Sequence, residues 1–372
     1  MDYKSVCEKI IENTKEFEDS DKDEIEKRLT FLLEEGSKVP ADSEDSAVAL
    51  PDYFDDEKFR LGQEVFAKNI FTMMIAKLSG LLVLLAVPSI LDVLRFTKQS
   101  GTPCAAFRRY AATILHTCIW YKSIPNLGIK FFESVLNVRK KHCIASRRCF
   151  EAGIGKISQR DMALTQFGFM GFSLLCAKPL GIDMSDKEAE GLLHFWRVIG
   201  HMLGTDERFN LCNGSINDSK ALCRRLLEAV FIPNLAKNTK HFDEMSKALL
   251  KGLWPINPFI DIHAYKAMTY RLTLTAVSNN NTIIINNNND NNNSLTFSDK
   301  SMPIHSRLIL NSQLFVHRYL LQTRFWWSRI FRAFFNSLMR MAIYLSEKFP
   351  FLAYCIFGRK QSHFNIYKFN FE

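Results

Sequence analysis

Two short segments hold side chains that could do chemistry together. FRRYAAT places Arg109 and Thr113 four residues apart, and VRKKHC places Arg139 and His142 three residues apart. Residues at these spacings share one face of an α-helix. An imidazole can ligate haem iron, and a guanidinium can pair with the haem propionates. Two helices that turn these faces towards each other would have the groups needed to hold a haem, with His142 as the iron ligand.

The same two predicted helices carry longer polar stripes. The residues at helical spacing on the first are Arg109, Thr113, His116 and Trp120. Those on the second are Val135, Arg139, His142, Ser146 and Cys149. A single histidine on a helix is more often a hydrogen-bonded structural residue than a ligand, and the lysines beside His142 also fit a plain surface. Spacing alone therefore leaves both interpretations open.

A second candidate site lies in the segment HFWRVIGHMLG. His194 and His201 fall near one helical face and could bind a non-haem metal, and His201 could also replace His142 as a haem ligand. The chain has neither a Glu-x-x-His pair of the di-iron type nor an HExxH motif here. We therefore favour a structural role, in which Trp196 packs against the haem helices and Arg197 forms a buried ion pair.

The residues around these motifs resemble a known family. The matching segments are FRRYAAT, VRKKHCIAS, ISQRDMALTQFGFMG and HFWRVIGHMLG, and the resemblance covers residues 59–211 well and the remainder loosely. The family comprises the rubber oxygenases, or latex-clearing proteins, and the ER-bound oxygenases of mycophenolic acid synthesis. The two later segments are most similar to the branch found in animals.

The resemblance implies a globin-like, all-helical bundle around a haem pocket, and an oxygenase that uses O2 to cleave a carbon–carbon double bond in a lipophilic, isoprenoid-like substrate. The family's arginine-x-x-x-threonine element matches Arg109 and Thr113, which the resemblance places at the haem and its oxygen side. Its arginine-x-x-histidine element matches Arg139 and His142, which implies a haem b that Arg139 helps to bind and His142 ligates. Such an iron keeps its sixth position free for dioxygen.

Two positions depart from the family pattern. Rubber oxygenase has a lysine next to the threonine, where this chain has Ala112, and an arginine four residues after the histidine, where this chain has Ser146. The sequence therefore identifies no distal base. A non-catalytic, membrane-associated helical adaptor that keeps the fold is the alternative that these two positions favour.

Composition limits the compartment and the partners. The 372-residue chain has a formal net charge of +9, yet its lysines and arginines are scattered among apolar runs. This pattern argues against nucleic acid and favours contact with a membrane surface. The nine cysteines form no CxxC motif, so we expect reduced thiols facing the cytosol. Together with the resemblance, this predicts a location at the endoplasmic reticulum membrane.

Helical periodicity without alternating strands predicts an all-α fold in four parts. The parts are a charged N-terminal helix and loop at 1–58, the helical haem-binding domain at 59–277, an asparagine-rich disordered insertion at 278–294 and a basic aromatic helical region at 295–372. Within the second part, residues 70–94 are the most apolar run, which Lys77 and Pro88 interrupt. This run fits either a buried helix pair or a membrane-inserted segment.

The C-terminal part alternates arginines with aromatic residues. This pattern predicts an amphipathic helix that lies in a lipid headgroup layer, although a core-facing helix with a basic solvent face fits it as well. The arginines concerned are Arg318, Arg324, Arg329, Arg332 and Arg340.

Overall fold

The protein was examined as a computed structural model, which describes residues 19–41, 48–123, 125, 129–278, 283 and 302–366. These ranges form α-helices joined by short loops, and they contain no strand, only one isolated bridge between Pro40 and Ser158. The predicted all-α class is confirmed. Most of the insertion predicted at 278–294, and the first 18 residues of the predicted N-terminal part, lie outside the described residues.

The helices are numbered in chain order. The first five are α1 Asp19–Lys38, α2 Asp56–Leu84, α3 Pro88–Phe96, α4 Pro103–Lys122 and α5 Ile129–Glu151. The next six are α6 Gln159–Leu175, α7 Ala177–Leu180, α8 Asp186–Met202, α9 Ile216–Leu226, α10 Ile232–Lys237 and α11 Lys240–Leu253. The last five are α12 Ile262–Val277, α13 Ile304–Phe315, α14 Ser328–Lys348, α15 Phe351–Phe357 and α16 Arg359–Ser362.

Local sequence explains where two of the central helices begin. Thr102 caps α4 by accepting a hydrogen bond from the N–H of Ala105, and Pro103 stands in the first turn, where no N–H is needed. Ser185 and Glu188 form a reciprocal capping box at the start of α8. These caps satisfy N–H groups that the helices themselves leave unpaired.

The central helix is α2, which packs against α6, α8, α12 and α14. Two glycine pairs let its backbone approach its neighbours closely. A Cβ added at Gly62 would lie 2.6 Å from the carbonyl oxygen of Gly191 on α8, and one added at Gly80 would lie 2.0 Å from that of Gly168 on α6. Because a residue with a side chain does not fit at these crossings, the glycines determine where α2 contacts α6 and α8.

The apolar run at 70–94 forms the end of α2 and most of α3, with the break at Pro88. Among the described residues, α2 is the one helix long and apolar enough to cross a membrane. However, 78% of its most apolar window is buried inside the protein. This burial fits the buried helix pair better than the membrane-inserted segment.

The sequence pattern predicts a helix that ends near Ile232. The structure instead continues it through a π-helical turn at Leu227–Phe231 into α10, which ends at Lys237. Pro233 provides the physical reason, because proline has no N–H and its ring clashes with the carbonyl four residues earlier. A wider π turn accommodates the proline without ending the helix.

The expectation that Arg332 faces lipid headgroups is wrong. Arg332 is buried at the point where α2 has a non-helical backbone, at Asn69. Its guanidinium donates to Oδ1 of Asn69 at 2.6 Å and to the carbonyls of Gly181 and Leu321. A kinked helix leaves polar groups unsatisfied, and this arginine pairs with them.

Candidate functional site

Helices α4 and α5 meet through polar side chains. The hydroxyl oxygen of Ser134 on α5 lies 2.8 Å from Nδ1 of His116 and accepts a hydrogen bond from Nε1 of Trp120 at 2.9 Å. Both partners belong to the polar stripe predicted on α4. These two residues of the stripe therefore face α5, as a site between the two helices requires, whereas Thr113 of the same stripe borders α2 and α14.

His142 lies half-buried on α5. Its Nδ1 atom is enclosed by protein, and no hydrogen bond reaches it within the part of the chain that the structure describes. Burial, together with the positive charges of Arg109 and Lys141, lowers the pKa of His142 to about 4. The imidazole is therefore neutral at pH 7, which is the form that ligates a metal.

Arg109 approaches His142 from α4, since its charge acts on the pKa of that histidine. Burial lowers the pKa of the Arg109 guanidinium, and only Tyr110 opposes this effect. No carboxylate is among the groups that act on it. Arg109 is partly buried, and a desolvated cation without a counter-ion is costly, so an anionic ligand group would be stabilised here.

Thr113 lines an apolar pocket between α2, α4 and α14. The walls of the pocket include Met74 and Leu78 of α2 and Ile343 of α14. The cavity is about 50 Å³, which is room for a few water molecules. A larger ligand would have to enter by movement of the wall.

Lys77 is a residue of this pocket whose importance the sequence analysis missed. It is buried, donates to Oγ1 of Thr117 at 2.6 Å and lies 4.6 Å from the ring centre of Phe169. It lines the same pocket as Thr113. Burial lowers its pKa to about 7. The only signal in the sequence is that a lone lysine breaks the most apolar run of the chain.

Arg139 faces a different neighbour. It is buried, and its Nη1 atom donates to the carbonyl of Met202, the last residue of α8, at 3.4 Å. A cation at this place also complements the negative end of the α8 dipole. The structure thus brings Arg109 near His142 but directs Arg139 to the end of α8, and a role for Arg139 in haem binding stays a prediction.

His116 is a second buried histidine with an unpaired ring nitrogen. Its Nε2 atom has no partner among the described residues, while Ser134 holds the other nitrogen. Burial lowers the pKa of His116 to about 4. A metal-ligating histidine usually has its second nitrogen held in this way. His116 therefore competes with His142 as a ligand, although the sequence pattern marked it only as part of the α4 stripe.

The geometry gives no support to a non-haem metal site on α8. Nε2 of His194 accepts the N–H of Asp55 at 3.0 Å. No cluster of three or more His, Cys, Asp or Glu residues suited to a metal occurs in the described ranges. Arg197 does form the predicted ion pair, with Glu207 at 2.5 Å, but the pair is half-buried.

A haem fits the residues present between α4 and α5. Within the residues that the structure describes, His142 offers a neutral imidazole with a buried, unpartnered nitrogen, and Arg109 offers a partly buried guanidinium on whose pKa no carboxylate acts. The first suits an iron and the second suits a propionate. The described fold and these residues thus define an all-helical protein with a candidate haem site between α4 and α5.

The chain belongs to the family described as ER-bound oxygenase mpaB/B′ and rubber oxygenase, catalytic domain, whose profile matches residues 64–277. The match covers more than half of the chain and includes all of the candidate haem residues. The oxygenase class that the sequence predicts is therefore confirmed at the level of the family. Membership in the animal branch stays a prediction.

The structure is similar to that of latex clearing protein in the closed state. The TM-score is 0.52, and the similarity covers 87% of this chain and 86% of that chain at 16% sequence identity. At this identity the similarity supports the fold alone. No curated protein sequence matches this chain.

Proposed function

We propose that this protein is a haem b-dependent oxygenase that uses dioxygen to cleave a carbon–carbon double bond in a lipophilic, isoprenoid-like substrate. Family membership supports the oxygenase class. The observation that carries the haem assignment is the buried, unpartnered nitrogen of a neutral His142 close to Arg109. Haem, when bound, supplies the iron at which dioxygen is activated.

The surroundings of each residue support a distinct role. In this proposal His142 would ligate the iron and Arg109 would neutralise a propionate. The hydroxyl of Thr113 donates to the carbonyl of Arg109 at 2.9 Å, which ties the two residues together on α4. Lys77 lines the pocket beside Thr113, and with a pKa of about 7 its amine can take up or release a proton near neutral pH.

The pocket supports a lipophilic substrate. Apart from Lys77 and a few other polar groups its walls are aliphatic or aromatic, including Ile75, Ile114 and Tyr265. Such walls favour an apolar ligand and exclude water from the reacting bond. We also propose that the protein works at an internal membrane, in keeping with the family description as ER-bound. Reduced, cytosol-facing cysteines remain a prediction.

The test is absorption spectroscopy of the purified protein after haem is added, oxidised and reduced, with and without carbon monoxide. We expect a Soret band that shifts on reduction and again with carbon monoxide, because a haem held by a single histidine would leave the iron able to bind carbon monoxide. His142→Gly should weaken haem binding at least about tenfold, and added imidazole should restore the band by filling the space of the lost ring.

His116→Ala is the matched variant, because it removes another buried histidine from the same interface. We expect it to keep the Soret band. A Soret band that survives in His142→Gly but disappears in His116→Ala would identify His116, and not His142, as the iron ligand. A featureless spectrum in the folded wild-type protein would favour the non-catalytic adaptor instead.

A further inference from the structure

Most of the fully buried residues of α14 are polar, although the partly buried Phe335 and Met339 also pack on the protein. The buried residues of this helix are Ser328, Arg332, Asn336, Ile343 and Ser346. Asn336 donates to the carbonyl of Lys68 at 2.7 Å and accepts the N–H of Phe71 at 3.1 Å. Hydrogen bonds to the kinked part of α2 therefore hold much of this inner side.

The outer side of α14 is apolar instead. A line of exposed residues runs along it at steps of three or four, namely Ile330 (62% exposed), Phe334 (54%), Leu338 (41%), Met341 (53%) and Leu345 (44%). A helix on a water-facing surface normally has the reverse arrangement, with apolar residues inside and polar ones outside. The exposed apolar line on α14 therefore indicates that this side contacts a partner or a membrane rather than water.

The apolar surface continues beyond α14. Trp326 precedes the helix and is 78% exposed, and the exposed residues Phe349, Phe351, Leu352 and Ile356 extend the surface across α15. We refer to the exposed apolar residues from Trp326 to Ile356 as the α14–α15 face. Large contiguous apolar surfaces of this kind mark contacts with a partner or a membrane.

The charged residues of the C-terminal region that carries the α14–α15 face are nearly all basic. Residues 302–366 contain nine lysines and arginines and a single acidic residue, Glu347, so they carry a net +8 of the chain's +9. Exposed basic residues stand near both ends of the face, with Arg324 and Arg329 at the start and Arg359 and Lys360 at the finish. A basic rim with tryptophan beside an apolar centre matches anionic lipid headgroups above acyl chains.

The inner side of α14 also reaches the pocket. Met339 and Ile343 line the pocket together with Thr113 and Lys77. One helix thus separates the apolar pocket from the apolar outer face.

We propose that the α14–α15 face docks on an anionic bilayer surface and that lipophilic substrate passes from the bilayer into the pocket beside α14. The second part rests on the proposed function, whereas the docking does not. A second copy of the chain fits the face less well, because a symmetric contact would bring two basic regions together, each with a net charge of +8 over residues 302–366.

The docking is tested by flotation of the full-length protein with vesicles of phosphatidylcholine alone or mixed with phosphatidylserine. We expect at least tenfold stronger binding to the anionic vesicles and a loss of that difference as salt is raised. The double variant Phe334→Glu, Leu338→Glu should weaken binding at least tenfold, because it places two carboxylates in the centre of the face.

Phe150→Glu is the control, since Phe150 is 58% exposed on α5 and is not one of the residues that form the α14–α15 face. It should bind vesicles like the wild type, and circular dichroism should show that all variants are folded. Equal binding by the double variant and the control would overturn the proposal. So would a dimer in sedimentation that only the double variant abolishes, since the face would then bind a second copy.

Binding is measured with and without haem, so that its outcome is independent of the proposed function. If the vesicles bind but no haem does, the docking holds and the passage of substrate fails. If haem binds but no vesicle does, the docking fails and the oxygenase assignment stands.

Discussion

At the scale of single residues, the buried Lys77 lowers the free energy of unfolding by an amount that depends on pH. Its pKa is about 7 in the folded protein against 10.5 for an ordinary lysine. Between these values the unfolded chain holds more protons than the folded one, so the stability contributed by this group rises with pH from 7 to 10.5 and is lowest below pH 7. No carboxylate acts on its pKa to offset this cost, and only the thiol of Cys118 opposes the effect of burial.

We therefore expect Lys77→Met to stabilise the protein most at or below neutral pH. Methionine fills a similar volume without a charge, and Thr117 still donates its hydroxyl to the carbonyl of Thr113. The advantage of the variant over the wild type should shrink by about 2 kcal/mol between pH 7 and pH 9. Urea unfolding of both proteins at the two pH values measures it. An advantage that does not change with pH would contradict a lowered pKa.

The sequence reveals some of the candidate site but not all of it. Helical spacing places His116 and Trp120 on one face of α4, and both contact Ser134 on α5. This part can be predicted because helical spacing depends only on local geometry. It cannot show that Lys77 reaches Thr117, since these residues are 40 positions apart and meet through the packing of α2 on α4. Nor can it show that Arg139 ends at the carbonyl of Met202.

At the scale of helices, the crossing of α2 and α6 depends on the absence of a side chain. Gly80→Ala adds a methyl group 2.0 Å from the backbone oxygen of Gly168. Backbone cannot move aside as a flexible side chain can, so we expect the variant to lose about 1–3 kcal/mol of stability, in spite of the better helix propensity of alanine. Thermal and urea unfolding measure this loss.

Gly101→Ala is the control for this prediction, because an added Cβ there meets no atom within 4 Å. It should leave stability nearly unchanged or raise it slightly. If Gly80→Ala were as stable as this control, α2 and α6 could separate at little cost, and the close crossing would not be a constraint on the fold.

At the scale of the whole molecule, the net positive charge is concentrated in the C-terminal region. Residues 302–366 carry nearly all of the net positive charge, yet they pack on α2 through buried polar groups. The alternation of arginine and aromatic residues predicts a helix here, and α14 confirms that helix. The pattern does not reveal which arginine is buried, because that depends on the kink at Asn69, which is far away in the sequence.

The attachment of the C-terminal region should therefore depend on Arg332 more than on any exposed arginine. Arg332→Ala removes the donor to the carbonyls of Gly181 and Leu321 and to Oδ1 of Asn69, which keeps only its hydrogen bond from the N–H of Asp183. We expect a loss of about 2–4 kcal/mol and faster hydrogen exchange in α14, whereas Arg329→Ala, an exposed position on the same helix, should change neither. Hydrogen exchange read by mass spectrometry separates the two variants. Equal protection of α14 in both would mean that apolar contacts such as Ile343 hold the helix, and that the hydrogen bonds at the kink contribute little to its attachment.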